Sequence, residues 1–454
     1  MDRFLQFLIF FTIIISIFGF MQWYVLRSYF RWLRMTTLAE SGKRIRRKTI
    51  IFFVAANILF FLRIPSTELG WYEHTLFQAL IIYPGGIFLG AIVLAFLFLV
   101  AFNTSVFFSK QIKNIAAFLT DTPSLVRKMA FKSRPDSVTD SLAGSQRTSN
   151  SDPALPTDPA LVQETTSSAL ISRRDFIKTT GTVMTVAPFG ITVIASAATA
   201  HDYQITRKTL YYPDLPSGLE GFRIAQLSDI HSGIYMTETQ MRDIFNLTNE
   251  EHPHLIAITG DFVDNSVSEI PALKRALTEL KAEYGIFGCL GNHDHYASAV
   301  TVSSAMQEQG IHMLTNSHET LTINGETVSL FGVDDHESGT SNQYRIQQAT
   351  ANMPEYGFRV LLSHRPDLFD DARSNNIHLT LAGHTHGGQI GFDFLGVPLY
   401  PIHLFHDYAK GLYDFGVHKA YVNVGIGMVG VPVRLVKPEL SVLELTGKPW
   451  KAAI

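Results

Sequence analysis

The sequence predicts an all-α region that crosses a membrane, followed by an α/β domain over residues 201–454. Three observations carry this. Charged residues make up only 17% of the 454-residue chain, below the roughly 25% of ordinary soluble chains, and the deficit sits in the first hundred or so positions. All but one of the 17 His lie at or beyond His201. From Phe222 onward, short β-rich runs alternate with helical stretches. A purely soluble enzyme, a disordered protein and a collagen-like chain are excluded. The single cysteine, Cys289, excludes an intramolecular disulfide framework and any Cys-based zinc site. A net charge of −3 gives no indication of a nucleic-acid partner.

Residues 1–107 read as three transmembrane helices. Leu5–Leu26 is an uncharged run of 22 residues and Leu76–Phe102 one of 27, with Pro84-Gly85-Gly86 inside it; either can cross about 30 Å of hydrocarbon. Ile50–Leu62 has only 13 residues, and charge patterning makes it a span. The segment Arg27–Lys48 holds eight basic residues against Glu40, the segment around Glu68 and Glu73 is acidic, and Lys110–Arg134 is basic again. Basic flanks stay cytoplasmic, so the N-terminus is outside. No run contains an ionisable residue, which argues for an anchor over a transporter.

Residues 108–171 read as a cytoplasmic basic segment and a Ser/Pro-rich linker too polar to fold. Residues 172–200 begin Ser172-Arg173-Arg174-Asp175-Phe176-Ile177-Lys178 and continue uncharged to Ala200. They read either as a twin-arginine export signal, engaging that translocation machinery and ending near Ala197 or Ala200, or as a fourth transmembrane helix. Both put residues 201–454 on the periplasmic or extracellular side.

In that domain, strands read at Phe222–Leu227, Leu255–Thr259, Gly285–Leu290, Val328–Val333, Phe358–Leu362 and His378–Leu381, with helices such as Thr237–Asn249 and Pro271–Glu283 between them. Polar motifs follow five of the strands: Asp229-Ile230-His231, Gly260-Asp261-Phe262-Val263-Asp264, Gly291-Asn292-His293-Asp294, Ser363-His364 and Gly383-His384-Thr385-His386-Gly387-Gly388-Gln389. Strand ends are where open α/β sheets bind ligands. In Asp-x-His and His-x-His, alternation along an extended chain would turn both side chains to one side. The mixed oxygen and nitrogen donors suit manganese, iron or zinc better than magnesium or calcium.

These five motifs, in this order, resemble the calcineurin-like metallophosphoesterases. The segment YVNVGIGMVGVPVRLVKPELSVLEL and the twin-arginine-like stretch are similar to the membrane-associated YkuE/YaeI-type phosphodiesterase branch. The resemblance implies a four-layer αββα sandwich, two packed mixed sheets flanked by helices. It implies two divalent metal ions, one held by Asp229, His231 and His386, the other by Asn292, His364 and His384, with Asp261 bridging. A hydroxide generated on the metals would attack phosphorus. His293 would donate to a phosphate oxygen or the leaving group, Asp294 would orient its imidazole, and Asp264 would stand behind the ligands.

Other residues read as structural. His252, His254, His295, His312, His318, His403, His406 and His418 match no motif, Cys289 reads as a buried thiol, and Asp334-Asp335 as a strand end. Arg365 and Arg434 read as structural pairs before phosphate contacts. The segment IGFDFLGVPLYPIHLF, with Phe392, Phe394, Leu395, Leu399, Tyr400 and Phe405, reads as core packing, with an acyl-binding or bilayer-touching loop as the alternative. The function expected is a membrane-anchored phosphodiesterase acting on a lipid-linked or envelope substrate. Alternatives are a phosphomonoesterase, a nucleotide-lipid pyrophosphatase, a non-catalytic interaction module and a regulated membrane protein.

Overall fold

The computed structural model describes residues 3–36, 39–131, 173–199, 202–335, 341–394 and 397–449. The polar linker and the Ala200 end of the signal-like segment lie outside the described residues.

Four long helices cover the N-terminal region: α1 (Arg3–Thr36), α2 (Ala39–Glu68), α4 (Tyr83–Phe131) and α5 (Arg173–Thr199). A short turn, α3 (Thr75–Phe77), leads through a π-helical stretch, Gln78–Ile82, into α4. Among the described residues, two stretches are long and apolar enough to cross a membrane, Thr12–Arg34 and Thr75–Asn114, with mean hydropathies of 1.3 and 2.7. Ile50–Leu62 lies within α2, which is not one of them. α5 carries a shorter apolar stretch, Ala187–Ser196.

Two compact units divide the chain. Within the unit formed by Met1–Gly42 and Leu94–Val186, Phe20 and Tyr24 pack edge-on against Phe96, and Asn103 donates to the Tyr24 hydroxyl at 2.6 Å. The second unit joins Lys43–Val93 to Ala187–Ile454. There Gly85 lets α4 approach the Phe60 backbone, and a Cβ at Gly86 or Gly90 would collide with Pro432 or Val433. Those glycines serve close packing.

The α/β domain is built on two six-stranded mixed sheets. The first runs in the order β1 (Gln204–Tyr211), β14 (Glu439–Thr446), β2 (Arg223–Leu227), β3 (Leu255–Thr259), β4 (Ile286–Cys289) and β5 (Ile311–Met313). The second runs β12 (Gly411–Asp414), β13 (Lys419–Val422), β9 (Leu379–Ala382), β8 (Phe358–Leu362), β7 (Glu326–Gly332) and β6 (Ser317–Ile323). Strands β2 to β5 are mutually parallel, as are β7, β8, β9 and β13. A hairpin, β10 (Phe392–Phe394) with β11 (Val397–Leu399), stands apart.

Side-chain alternation builds the layers. Ile224, Leu255, Phe287 and Cys289 of the first sheet meet Leu330, Val360, Leu379 and Tyr421 of the second in one apolar layer. Ala225, Leu227, Ile256 and Ile258 face the other way, onto α6 (Glu238–Glu250), α7 (Ile270–Leu277) and α9 (Ala299–Gln307). Phe331 and Leu361 turn outward onto α10 (Asn342–Ala349) and α11 (Phe369–Ser374). The order is therefore α, β, β, α. Cys289 is fully buried between the sheets, and burial pushes its thiol well up.

Helix α6 starts on a capping box, Thr237 with Gln240. Helix α7 stops at Leu277, six residues short of the expected Glu283. The Asn249 side chain of α6 binds the Glu279 carbonyl at 2.6 Å and the Lys281 N–H at 3.0 Å, drawing that stretch out of the helix and into β4. Edge strands β1 and β6 are polar along much of their length, so they carry little apolar alternation to read.

Candidate metal centre

The parallel strands deliver their C-terminal ends to one rim. Asp229 and His231 follow β2, Asp261 follows β3, Asn292, His293 and Asp294 open the short helix α8 (Asn292–Ala297) after β4, His364 follows β8, and His384 and His386 follow β9.

The backbone at these positions is unusual. Asp229, His231, Asp261, His384 and His386 have φ of 50°, 46°, 54°, 70° and 49°, the left-handed region that non-glycine residues rarely occupy. The expected alternation along an extended chain is therefore not what aims the two residues of each motif; consecutive tight turns do. Each such residue costs about 1–3 kcal/mol and persists because neighbours over-determine it. Asp229 N donates to Gly260 O, His231 N to Asp261 O and Ser232 N to Phe262 O, each at 3.0 Å, zipping the loops after β2 and β3 together. Glycine is required where loops touch. A Cβ on Gly260 would lie 2.7 Å from His364 Nδ1, and one on Gly383 would collide with Ser228 Oγ and Asp229 Oδ2.

Seven side chains converge. His231 Nε2 lies 3.1 Å from His386 Nε2 and 3.5 Å from Asp261 Oδ2. His386 Nε2 is 3.3 Å from Asp229 Oδ1. On the other side of Asp261, His364 Nε2 is 3.2 Å from Asp261 Oδ2, 3.2 Å from Asn292 Oδ1 and 3.1 Å from His384 Nδ1. Two cation-sized groups result, Asp229 with His231 and His386, and Asp229 with Asp261 and His364. His231, Asp261 and His293 form a third, overlapping one.

The donor chemistry fits divalent metal ions. His364 Nδ1 lies 2.9 Å from the Thr259 carbonyl, which can only accept, so the proton sits on Nδ1 and the Nε2 lone pair faces the centre. His386 Nδ1 is buried without a hydrogen-bond partner among the described residues. Burial pushes the Asp229 carboxyl up and the His386 imidazole well down. At His231 burial also opposes charge, but Asp264, Asp261 and Asp229 outweigh it and push the ring up to about 9. Such a set of desolvated carboxylates and inward-facing imidazole nitrogens calls for positive charge at its middle, from a proton on His231 or from a metal ion.

Comparison with known proteins agrees. Residues 222–388 match the calcineurin-like phosphoesterase family model. YkuE of Bacillus subtilis, an uncharacterised metallophosphoesterase, is 32% identical over 286 residues, covering 61% of this chain and 98% of YkuE. The chain belongs to the calcineurin-like phosphoesterase family. The phosphodiesterase YaeI of Escherichia coli is 28% identical over 282 residues, 61% of this chain and all of YaeI. A Danio rerio transmembrane protein with a metallophosphoesterase domain is 30% identical over 236 residues, 49% of this chain and 52% of that one. As a member of this family, the chain is a phosphoester hydrolase of a metal-using class.

Around the donors of this phosphoesterase lies a layer that the sequence revealed only in part. The Asp294 carboxylate is not hydrogen-bonded to the His293 imidazole it was expected to orient. Its carboxylate accepts from the Phe262, Val263 and Gly291 N–H groups, at 2.8, 3.3 and 2.9 Å, and so ties the loops after β3 and β4 together. The His293 ring instead sets Nδ1 against the Asp264 carbonyl, and its backbone N–H donates to Asp261 Oδ1 at 2.8 Å. Asp264 also backs His231, Oδ1 lying 3.4 Å from Nδ1. Glu269, buried and unremarked in the sequence, accepts through one oxygen from the N–H groups of Asp264, Asn265 and Ser266. The Ser266-x-x-Glu269 pattern is a capping box that could have disclosed it.

Gln389 ends the His-rich motif for a structural reason. Its amide makes paired hydrogen bonds with Val429, 2.9 Å to the carbonyl and 3.1 Å from the N–H. Arg434 is completely buried, with its guanidinium donating to the carbonyls of Val424, Gly425, Gly427 and Val436; it holds the loop that packs on Asp229. Arg365 pairs with Asp335 at 2.7 Å, and His295 with Asp334 at 2.6 Å. His406, expected to be structural, comes to 5.8 Å from the His384 ring. In the loop expected to form core, Phe405 is 78% exposed, as is its neighbour Leu404 at 82%; Leu395 lies outside the described residues.

Proposed function

We propose that this phosphoesterase is anchored in a membrane, faces the periplasm or cell exterior, and hydrolyses phosphodiesters with two divalent ions, manganese, iron or zinc. The observation that carries the reading is the place of Asp261. Its Oδ2 lies within 3.5 Å of His231 and 3.2 Å of His364, between two donor groups. Asp229, His231 and His386 would hold one ion, and Asn292, His364 and His384 the other. Two such ions withdraw charge from phosphoryl oxygens and bring water ionisation near neutral pH.

The chain's own side chains do the rest. His293 is partly exposed, and its Nδ1 is taken up by the Asp264 carbonyl. As an imidazolium it can pass the Nε2 proton to a departing oxygen and return to the neutral ring protonated on Nδ1. Asp294, through the loops it ties, positions both Asp261 and His293 without touching substrate. Support for a diester comes from YaeI, named a phosphodiesterase; support for a lipid-linked substrate comes from the apolar helices on the same chain.

The test is turnover by the full chain, loaded with manganese, on matched aryl phosphodiester and phosphomonoester substrates, beside Asp261→Asn and His293→Ala. Diester hydrolysis lost in both variants is expected. Monoester preference would replace the reading with a phosphomonoesterase, and turnover that survives Asp261→Asn would remove the site assignment.

A further inference from the structure

Two large apolar side chains stand exposed beside the metal centre where a soluble domain gains nothing from them. Leu404 is 82% and Phe405 78% exposed, at the tip of a turn that follows Tyr400. The turn is not loose. The N–H groups of Phe405 and His406 both donate to Ile402 O at 2.9 Å. Ile402 packs on Gly388 within the His-rich motif. Downstream, Thr385 Oγ1 donates to Ala409 O at 2.6 Å. The turn thus holds its two apolar tips outward next to His406 and His384.

What covers those tips follows from the neighbouring loop. Gln389, one residue past Gly388, is hydrogen-bonded to Val429. The segment Met428-Val429-Gly430-Val431-Pro432-Val433 then runs into the apolar helices. Pro432 and Val433 sit on Gly86 and Gly90 of α4, and Arg63 of α2 donates to Gly430 O at 2.6 Å and to the Tyr235 hydroxyl at 2.9 Å. Phe61 and Leu62 of α2, Leu76 of α3 and Leu80 of the π-helical stretch are exposed. The Leu404–Phe405 turn is thereby linked, through Ile402, Gly388, Gln389 and Val429, to Pro432 and Val433, which are buried against α4. Beside the turn Lys410 lies 3.8 Å over the Tyr400 ring, a cation and an amphipathic aromatic of the kind found at the headgroup level of bilayers.

We propose that the Leu404–Phe405 turn inserts into the bilayer that holds the helices, so that the mouth beside His384 and His406 opens onto lipid headgroups and takes a phosphoester amphiphile from the membrane. The substrate class rests on the proposed phosphodiesterase; the insertion does not. Exposed Leu and Phe gain by leaving water for the acyl boundary.

The lone cysteine makes the test direct. Cys289 is buried, so Phe405→Cys in the full chain offers one accessible thiol for an environment-sensitive fluorophore. Val417→Cys, in the turn between β12 and β13 at the opposite end of the sheet from the site, is the control. In phosphatidylglycerol nanodiscs, nitroxides on the lipid should quench the label at 405 several-fold more than at 417, and aqueous iodide should do the reverse. Equal quenching at both positions overturns insertion.

The double variant Leu404→Ser with Phe405→Ser separates lipid access from catalysis. Hydrolysis of a vesicle-borne phosphodiester should fall by at least about tenfold, with hydrolysis of a soluble aryl diester unchanged. Equal loss on both substrates makes the turn a support of the site and overturns the proposal. If the unaltered chain hydrolyses neither ester, the phosphodiesterase reading fails, while the quenching result still decides insertion.

Discussion

His231 and His386 point the same ring atom, Nε2, at one another across 3.1 Å, with Asp229 Oδ1 3.3 Å from the second ring. Two imidazoles gain nothing from facing lone pairs unless a proton or a cation lies between them. A proton on His231 can fill that gap and a divalent ion could take its place, with the backbone held in the left-handed region at both residues.

Metal removal should therefore loosen the fold. Stripping the full chain with a chelator should lower its melting temperature, and returning manganese should restore it. Where the free ion stands at 100 times its dissociation constant, linkage stabilises by about 2.7 kcal/mol per site. Scanning calorimetry with and without chelator measures this; an unchanged transition would show that no ion occupies the centre.

His293 should matter for turnover and not for metal retention, although it comes within reach of His231 and Asp261. His293→Ala should lower kcat by roughly 10²- to 10⁴-fold with the metal content unchanged by elemental analysis. Loss of an ion would make His293 a ligand instead.

Asp294 should act on the framework. Three buried N–H groups depend on its carboxylate, and Asp294→Ala leaves them unsatisfied at about 1–3 kcal/mol for an unmade hydrogen bond. Thermal unfolding of this variant should move down markedly. A variant with unchanged stability and abolished turnover would return Asp294 to the chemistry.

Arg434 should tolerate no replacement. Arg434→Met orphans the four carbonyls its fork binds, and Arg434→Lys brings a compact charge that cannot reach all four. Both should unfold at least about 3 kcal/mol more easily and lose activity in proportion. Full stability of Arg434→Lys would mean that charge alone, and not the fork, holds the loop.

Much of the site could be read from the chain because each of its motifs is short and local. In each, a strand and one or two donors lie within nine residues, and parallel strands send all their ends to one rim. Strands β3 and β8 begin and end where the sequence places them, at Leu255–Thr259 and Phe358–Leu362. The weaknesses of the reading have equally specific causes. The edge strands β1 and β6 bury only part of one face, so they carry no strong period. Helix α7 is cut short by Asn249, a residue from another helix, and nothing near Leu277 announces it.

The composition and the order of the motifs determine the family, the donor inventory and the apolar N-terminal region, since these depend on residue types and local spacing. Which partner each donor meets is a matter of long-range geometry. Asp294 adjoins His293 in the chain, yet its carboxylate turns to Phe262, Val263 and Gly291, because three N–H groups there have no other acceptor and a buried donor must be satisfied. His293 finds Asp264 instead, 29 residues away. Leu404 and Phe405 look like core in the sequence and stand exposed in the fold, because apolarity is local whereas burial depends on what the rest of the chain brings near.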